Sequence, residues 1–297
     1  PLIKETEIKV NRNTQTLTTF GMKQWTRVGF WNVQTLWETG KLAQVEEEIS
    51  KYKLSIVGIS EARWNSFGKF KTVNGNTLLY SGREDEHDAH REGVAILLNK
   101  ETKKSLMNWQ PVSNRILTVR LKTKVRPVTI VQCYAPTEVA YEEEKEKFYG
   151  QLNETLRAIK RRDIIMIMGD FNAQLGGDNE GVEMVMGKHG LGVLNDNGTR
   201  FLELCGGYDL VIGGTIFPHL ECHKVSWVSP DMRTQNQIDH FAISRKFRSS
   251  LLDIRNKRGA DVGSDHHLML AKIRLKISKV KDQTNRVNPK YDINKLQ

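Results

Sequence analysis

The chain has 297 residues, enough for one large domain or two ordinary ones, with a core that needs no covalent staples. Its 45 Lys and Arg against 35 Asp and Glu give a net charge of +10 and a pI of about 9.4; this favours a polyanionic partner without choosing among nucleic acid, membrane headgroups and mere solubility. Three scattered cysteines, Cys133, Cys205 and Cys222, with no CxxC pair, argue against a zinc ribbon or a disulfide framework and fit the reduced thiols of cytosol or nucleus; no stretch reads as a signal peptide or a bilayer span.

Residues 1–23 are polar and aperiodic and are expected to be a flexible leader. The first residue is Pro, so the sequence is expected to be part of a longer product. Arg27 to Asn32 reads as a strand. After Gly40, a helix is expected to about Tyr52, with Leu42, Val45 and Ile49 on one face. Leu54 to Ser60 is the next strand and ends at Glu61. Strand, helix, strand in succession argues for an α/β architecture.

Shorter strands follow at Thr77–Tyr80, Val94–Leu98, Ile116–Leu121 and Val128–Tyr134, with Asn74-Gly75 marking an early turn. A long helix is expected from about Tyr141 to Lys160. Phe148, Leu152, Leu156 and Ile159 form its apolar face, and Glu142 to Lys147 its wet face. It leads into Ile164–Met168, an unbroken apolar run that reads as a strand buried on both faces. Gly176 to Gly198 is glycine-rich and long for a structureless connection, which favours a functional loop. Thr199 is expected to cap a short helix that stops at Gly206-Gly207. Strands near Leu210–Ile212, Lys224–Trp227, Gln237–Ile243 and His267–Leu275 complete a body placed at residues 24–277. Residues 278–297 read as a basic linker.

The strand ends carry polar residues: Asn32, Glu61, Tyr134, Asp170 with Asn172, and Asp265 with His266. Asp239 sits inside an otherwise core-like strand, where a carboxylate is costly unless paired or liganding. Taken singly, each has a reading as a satisfied polar group; Asp170 and Asn172 would also suit a turn that bonds local backbone. Jointly they suit phosphodiester hydrolysis. Carboxylates without clustered thiol or histidine ligands favour Mg²⁺, an oxygen-seeking ion. A histidine beside a carboxylate can be held in one tautomer.

Trp31-Asn32-Val33, Ile59-Ser60-Glu61, Cys133-Tyr134-Ala135-Pro136, Gly169-Asp170-Phe171-Asn172, Ile238-Asp239-His240 and Gly263-Ser264-Asp265-His266 resemble, in this order, the motifs of the endonuclease/exonuclease/phosphatase superfamily. Asn32-Val33-Gln34-Thr35-Leu36 followed by Gly40-Lys41-Leu42 resembles the endonuclease domain of non-LTR retrotransposons of the RTE/BovB type, a pattern shared by craniofacial development protein 2-like sequences. The resemblance implies an α/β four-layer sandwich of the DNase I-like kind, two packed mixed β-sheets flanked by helices. It also implies a Mg²⁺-dependent (or Mn²⁺-dependent) endonuclease that nicks double-stranded DNA in a nuclear setting, with no membrane role. The basic tail resembles the lead into a reverse transcriptase in the same polypeptide. Asn32, Glu61 and Asp265 would hold the metal. Asp170 would orient or deprotonate water, Asn172 and His266 would bind the scissile phosphate, Asp239 would hold His266, and Tyr134 would stabilise the phosphate or leaving oxygen. Ser226 and Trp227 lie where the family tends to place a hydroxyl and a DNA-facing strand; plain packing is the alternative. Arg115 could reach a phosphate or serve the surface.

Asp85 to His90 could pass for a metal cluster but reads as a solvated loop. Of the adjacent His266 and His267, extended backbone lets only one face the site, and the motif favours His266. Two rivals stay open: an abasic-site endonuclease or other phosphodiesterase of the same scaffold, and a domesticated copy kept as a non-catalytic DNA- or chromatin-binding module.

Overall fold

The computed structural model describes residues 25–275, apart from 86 and 125. The expected leader and basic linker lie outside the described residues.

The first part of the chain forms β1 (Thr26–Asn32), α1 (Lys41–Lys51), β2 (Ile56–Ser60), β3 (Phe67–Lys71), β4 (Thr77–Ser81) and β5 (Val94–Leu98). A one-turn helix, α2 (Lys100–Lys103), leads to β6 (Leu106–Ser113), β7 (Ile116–Leu121), β8 (Val128–Tyr134), α3 (Glu142–Ala158) and β9 (Ile164–Asp170). The last part forms α4 (Asp196–Gly207), β10 (Leu210–Ile212), β11 (Trp227–Val228), β12 (Gln235–Asn236), β13 (Asp239–Ser244), β14 (Leu251–Lys257) and β15 (Leu268–Ile273).

Among the described residues these strands form two large mixed sheets, ordered β14-β15-β1-β2-β5-β4-β3 and β10-β13-β9-β8-β7-β6, and a β11-β12 ribbon. Each large sheet has one parallel pair at its heart, β1 with β2 and β8 with β9. Alternation sends Val28, Phe30, Ile56 and Ile96 from the first sheet against Leu117, Val119, Ile130, Met166 and Phe241 from the second. Phe30 and Phe241 stack between the sheets, 6.3 Å centroid to centroid. The outer face of the first sheet packs Val57, Ile59 and Leu97 with Val45 and Ile49 of α1. The outer face of the second packs Val131, Ile167 and Ala242 with Phe148 and Leu152 of α3 and Phe201 of α4. This is the expected four-layer sandwich.

Besides the two-residue β12, three strands were not anticipated, β3, β6 and β14, and all three are edges of the large sheets. Their sequences, Phe67-Gly-Lys-Phe-Lys71, a β6 carrying Pro111, and Leu251-Leu-Asp-Ile-Arg-Asn-Lys257, lack the apolar run that marks a central strand. The expected strand at Lys224–Trp227 is displaced: a tight turn at Glu221–His223 precedes the two-residue β11. Asn195, not Thr199, caps α4; its backbone is extended and its Oδ1 accepts the N–H of Gly198 at 2.8 Å. The expected wet face of α3 has one exception. Lys145 is buried, with its Nζ 3.0 Å from Asp196 of α4.

Candidate active site

Parallel pairing brings the polar strand ends together. In β1 and β2, Asn32 stands opposite Ser60; in β8 and β9, Tyr134 stands opposite Asp170; and Asp239 at the start of antiparallel β13 stands opposite Asp170. The ends of both sheets thus meet on one rim. Gly169 makes the approach possible: its φ is +139°, and a Cβ there would meet the Cys133 carbonyl oxygen at 2.0 Å. Glu61, just beyond β2, and Asn172, two residues beyond β9, hold left-handed backbone with φ of 53° and 49°. For non-glycine residues such conformations cost about 1–3 kcal/mol each and cluster where a side chain must be aimed.

One amide links the two halves. Asn32 Nδ2 donates to Glu61 Oε1 at 2.8 Å and to Asp170 Oδ2 at 3.0 Å, while Asn32 Oδ1 accepts the Gln34 N–H. Glu61 also accepts from the Tyr134 hydroxyl at 3.0 Å and from Arg63 at 2.8 Å. The Asn172 N–H donates to Asp170 Oδ1 at 3.0 Å, and its side-chain amide donates to the Ala135 carbonyl at 3.1 Å. Below this layer the Ser60 hydroxyl donates to the Cys133 carbonyl and accepts from Gln132 Nε2, joining the two sheets.

His266 is buried, and its Nδ1 lies 2.9 Å from Asp239 Oδ2. Its Nε2 lies 3.8 Å from Asp170 and 3.9 Å from Asp265. Burial opposes a charge on the ring, but the carboxylates of Asp239 and Asp170 outweigh it and raise His266 to about 9. Burial and the adjacent Asp239 push the Asp170 carboxyl up to about 7. Burial, then the Glu61 charge, pushes the Tyr134 phenol far above its usual range. His267 stands outside this group; it is half-buried, and burial lowers its pKa.

Asn32, Glu61, Tyr134, Asp170, Asn172, Asp239, Asp265 and His266 therefore share one rim. The three outlying candidates serve it differently. Ser226 is fully buried, and its Oγ accepts the backbone N–H groups of Ile238 and Asp239, so it fixes the start of β13 instead of presenting a hydroxyl outwards. Trp227 donates its indole N–H to Asp265 Oδ2 at 2.9 Å. Arg115 lies 3.5 Å from Glu92 and sits over the Tyr134 ring at 5.0 Å, bracing that tyrosine. The loop from Gly176 is packed, with Val185 and Met186 buried. In the Asp85–His90 loop, Asp88 pairs with Arg83, and His90 Nδ1 bonds the Arg63 carbonyl.

Sequence reading missed Gln34, whose Nε2 donates to Asp265 at 2.9 Å, and Arg63, Ser60 and Gln132. Gln132 did leave a trace: an amide in the middle of an apolar strand must find partners. Gly58 clears its place, since a Cβ there would come within 1.8 Å of Gln132 Oε1.

The donors on the rim suit a hard divalent cation. Glu61 and Asp265 offer only oxygen, Asn32 would add its Oδ1, which here accepts the Gln34 N–H, and four carboxylates face one arginine and one imidazolium, an excess of negative charge that a cation would offset. Ligand atoms of Asp170, Asp239 and His266 also lie within 4.8 Å of one another. That trio suits a metal less well, because His266 Nδ1 is engaged by Asp239 and its ring favours the protonated form. Among the described residues no helix is long and apolar enough to cross a membrane.

A family model described as the endonuclease/exonuclease/phosphatase family matches residues 29–266. Over 250 residues the chain is 34% identical to craniofacial development protein 2 of Bos taurus and 33% identical to that of Tragulus javanicus, each match covering 84% of this chain. It spans only 41% and 42% of the length of those relatives. Among solved structures, it is similar to the endonuclease domain of TRAS1, a telomere-specific non-LTR retrotransposon (18% identity, TM-score 0.57, 85% of this chain and 100% of that one). It is also similar to the 3′-5′ exonuclease NExo of Neisseria meningitidis (18% identity, TM-score 0.63, 84% and 100%) and to the AP endonuclease LMAP of Leishmania major (14% identity, TM-score 0.62, 85% and 89%). Nucleases of this family typically use a divalent metal. With its motifs on one rim of the sandwich and a family match over most of its length, the chain belongs to the endonuclease/exonuclease/phosphatase family.

Proposed function

We propose that the chain is a Mg²⁺-dependent DNA endonuclease that nicks duplex DNA by attack of water on a phosphodiester, leaving a 3′-hydroxyl. The observation that carries this reading is the convergence of Asp170, Asn172 and the Asp239–His266 pair beside Glu61. Asp170 has a carboxyl near neutrality, suited to take a proton from attacking water. Asn172 shares the turn held by the Asp170 carboxylate and would position a phosphate oxygen. His266, kept protonated by Asp239, offers an Nε2–H to the charge that builds on the phosphate. Tyr134 stays a phenol and acts as a hydrogen-bond donor, not as a nucleophile. Asn32, Glu61 and Asp265 would hold the divalent ion, whose charge, when bound, stabilises the phosphorane-like transition state.

The net charge of +10 supports a nucleic-acid substrate. The Neisseria 3′ phosphatase NExo has been solved with a product DNA hairpin, and TRAS1 is a non-LTR retrotransposon; these support DNA and, for this chain, nicking that primes retrotransposition in the nucleus. A reverse transcriptase domain in the same polypeptide belongs to that reading. Supercoiled plasmid should become open circle in Mg²⁺ (or Mn²⁺) and stay supercoiled in EDTA, and Glu61→Ala should depress nicking by at least about 10². Undiminished cutting in EDTA overturns the proposal. The LMAP likeness supports abasic-site cleavage as a second reading, and cutting confined to abasic duplexes would move the function to repair.

A further inference from the structure

Five rings, Trp37, Trp64, Phe70, Tyr80 and His90, line a cleft of about 430 Å³ that the proposed hydrolysis does not use. Trp37 is 61% exposed and Phe70 39%, while the His90 ring stacks on the indole of Trp37 at 3.9 Å. Trp64 meets Tyr80 edge-on at 5.2 Å and Phe70 at 5.8 Å. The floor is built for close packing. A Cβ on Gly82 would come within 1.6 Å of the Trp64 carbonyl oxygen, and one on Gly68 within 2.8 Å of the Tyr80 ring.

Two observations bear on what fills this cleft. Its remaining lining is Asn65, whose amide donates to the Asp88 carbonyl, and Ser66, so among the described residues it has aromatic planes with two polar side chains and no aliphatic one. That composition suits a flat heteroaromatic ring with polar edges better than a hydrophobic peptide. The cleft is also tied to the proposed active site through Arg63. Trp64 follows Arg63, whose guanidinium pairs with Glu61, and His90 bonds the Arg63 carbonyl. Three residues reach no more than about 10 Å, or roughly three nucleotides along a strand. Exposed Lys69 and Lys71 flank Phe70 on β3 and, facing the other side of the strand, add positive charge near the cleft without lining it.

We infer that this cleft receives an unstacked nucleobase close to the scissile phosphate, with Trp37 as its principal stacking face. The inference rests on the endonuclease reading and deepens it: an unpaired or easily unstacked base beside the cut becomes a determinant of where the protein binds. Opening a paired base costs a few kcal/mol, so a site that holds the extruded base favours DNA in which that cost is already reduced.

The test uses the protein in EDTA, where binding is read without cleavage. The probes are a fully paired duplex and the same duplex with a single bulged 2-aminopurine. The parent should bind the bulged duplex about tenfold more tightly, with 2-aminopurine fluorescence quenched on binding by contact with the rings. Trp37→Ala should remove both the preference and the quenching, and Trp37→Phe should restore most of each. Equal affinity of the parent for the two duplexes overturns the inference, as does a Trp37→Ala protein that keeps preference and quenching. Either result leaves nicking of paired plasmid, and hence the endonuclease reading, standing. A parent that binds neither duplex and nicks no plasmid overturns that reading and the inference with it.

Discussion

His266 Nδ1 lies 2.9 Å from Asp239 Oδ2, with both groups buried, and the same ring turns its Nε2 towards Asp170 at 3.8 Å. The native protein therefore holds protons here that the unfolded chain releases earlier. His266 rises from 6.5 to about 9, so its stabilising charge is fully present below pH 6.5 and lost as pH rises through 9. Asp170 rises from 3.8 to about 7, so the cost of ionising it in place is absent below 3.8 and complete above about 7. Both make metal-free stability fall as pH rises. Asp163 and Asp253, held below their usual values, change only in more acid solution, and His240 and His267, lowered by burial, oppose the trend only near and below pH 6.5. In EDTA, urea unfolding should therefore show a loss on the order of 1–3 kcal/mol between pH 7 and 9. The Asp170→Asn, His266→Gln double variant should flatten that dependence. A parent that gains stability over this range would contradict the assignment.

Asp170, Asn172 and His266 act on one phosphate in the proposed mechanism, so their losses should not add. Asp170→Ala, Asn172→Ala and His266→Ala should each lower kcat by about 10²–10⁴, and the triple variant should fall little below the worst single one. His267→Ala is the control. It should stay within a few-fold of the parent, since His267 lies outside the cluster. If His267→Ala is crippled and His266→Ala is not, the assignment is off by one residue.

How much of this was legible follows the physics of burial. Central strands such as Ile164–Met168 announce themselves because both faces are buried; the edge strands β3, β6 and β14 do not, because half their surface meets solvent. The rim residues could be named because their motifs occur in order and each sits at a strand end, as Asn32 and Asp170 do. What holds them was hidden. Ser226 was open to a DNA contact or to plain packing, and only the fold decides: its lone pairs face the N–H groups of Ile238 and Asp239, a pairing set by tertiary contact across 12 and 13 residues. Arg63 and Gln34 occupy left-handed backbone that no pattern of side-chain types foretells.

The Ser60 hydroxyl is a structural bridge whose effect should reach Asp170. It donates to the Cys133 carbonyl at 3.1 Å and accepts from Gln132 Nε2 at 3.0 Å, between sheets and out of water. Ser60→Ala leaves a buried amide and carbonyl short of a partner and should cost about 1–3 kcal/mol in urea unfolding. Because the Asp170 N–H also approaches this oxygen, at 3.5 Å, kcat should fall while KM changes little. A neutral Ser60→Ala in both measurements would show that the bridge is dispensable.

Charge should govern DNA affinity. With roughly five phosphates neutralised, log Kobs should fall against log[salt] with a slope of about −4 to −5. Residues 279–297 carry five Lys and Arg against two Asp, a net +3, so a chain ending at Ser278 should bind more weakly with a slope shallower by at most about 3. Its nicking rate at saturating DNA should match that of the whole chain, because every residue of the proposed machinery precedes Ser278. An affinity indifferent to salt would point to a small phosphorylated substrate.

The ends left at the nick discriminate most. Tyr134 is the one side chain on the rim with a nucleophile's chemistry, and burial beside Glu61 keeps its phenol protonated while it donates to that carboxylate. A covalent phosphotyrosine route is thereby disfavoured, and the proposed mechanism assigns the attack to water at Asp170. In-line attack on the side away from the 3′-oxygen expels that oxygen, which must be met by a donor or a cation as its charge grows. The product is then a 3′-hydroxyl facing a 5′-phosphate, the end a reverse transcriptase extends. A DNA polymerase should extend plasmid nicked by the protein in Mg²⁺ without prior phosphatase treatment, and Tyr134→Phe should slow nicking by about tenfold to a hundredfold without changing the ends. Nicks that resist extension until a 3′-phosphate is removed, or protein left covalently on the DNA, would refute direct attack by water.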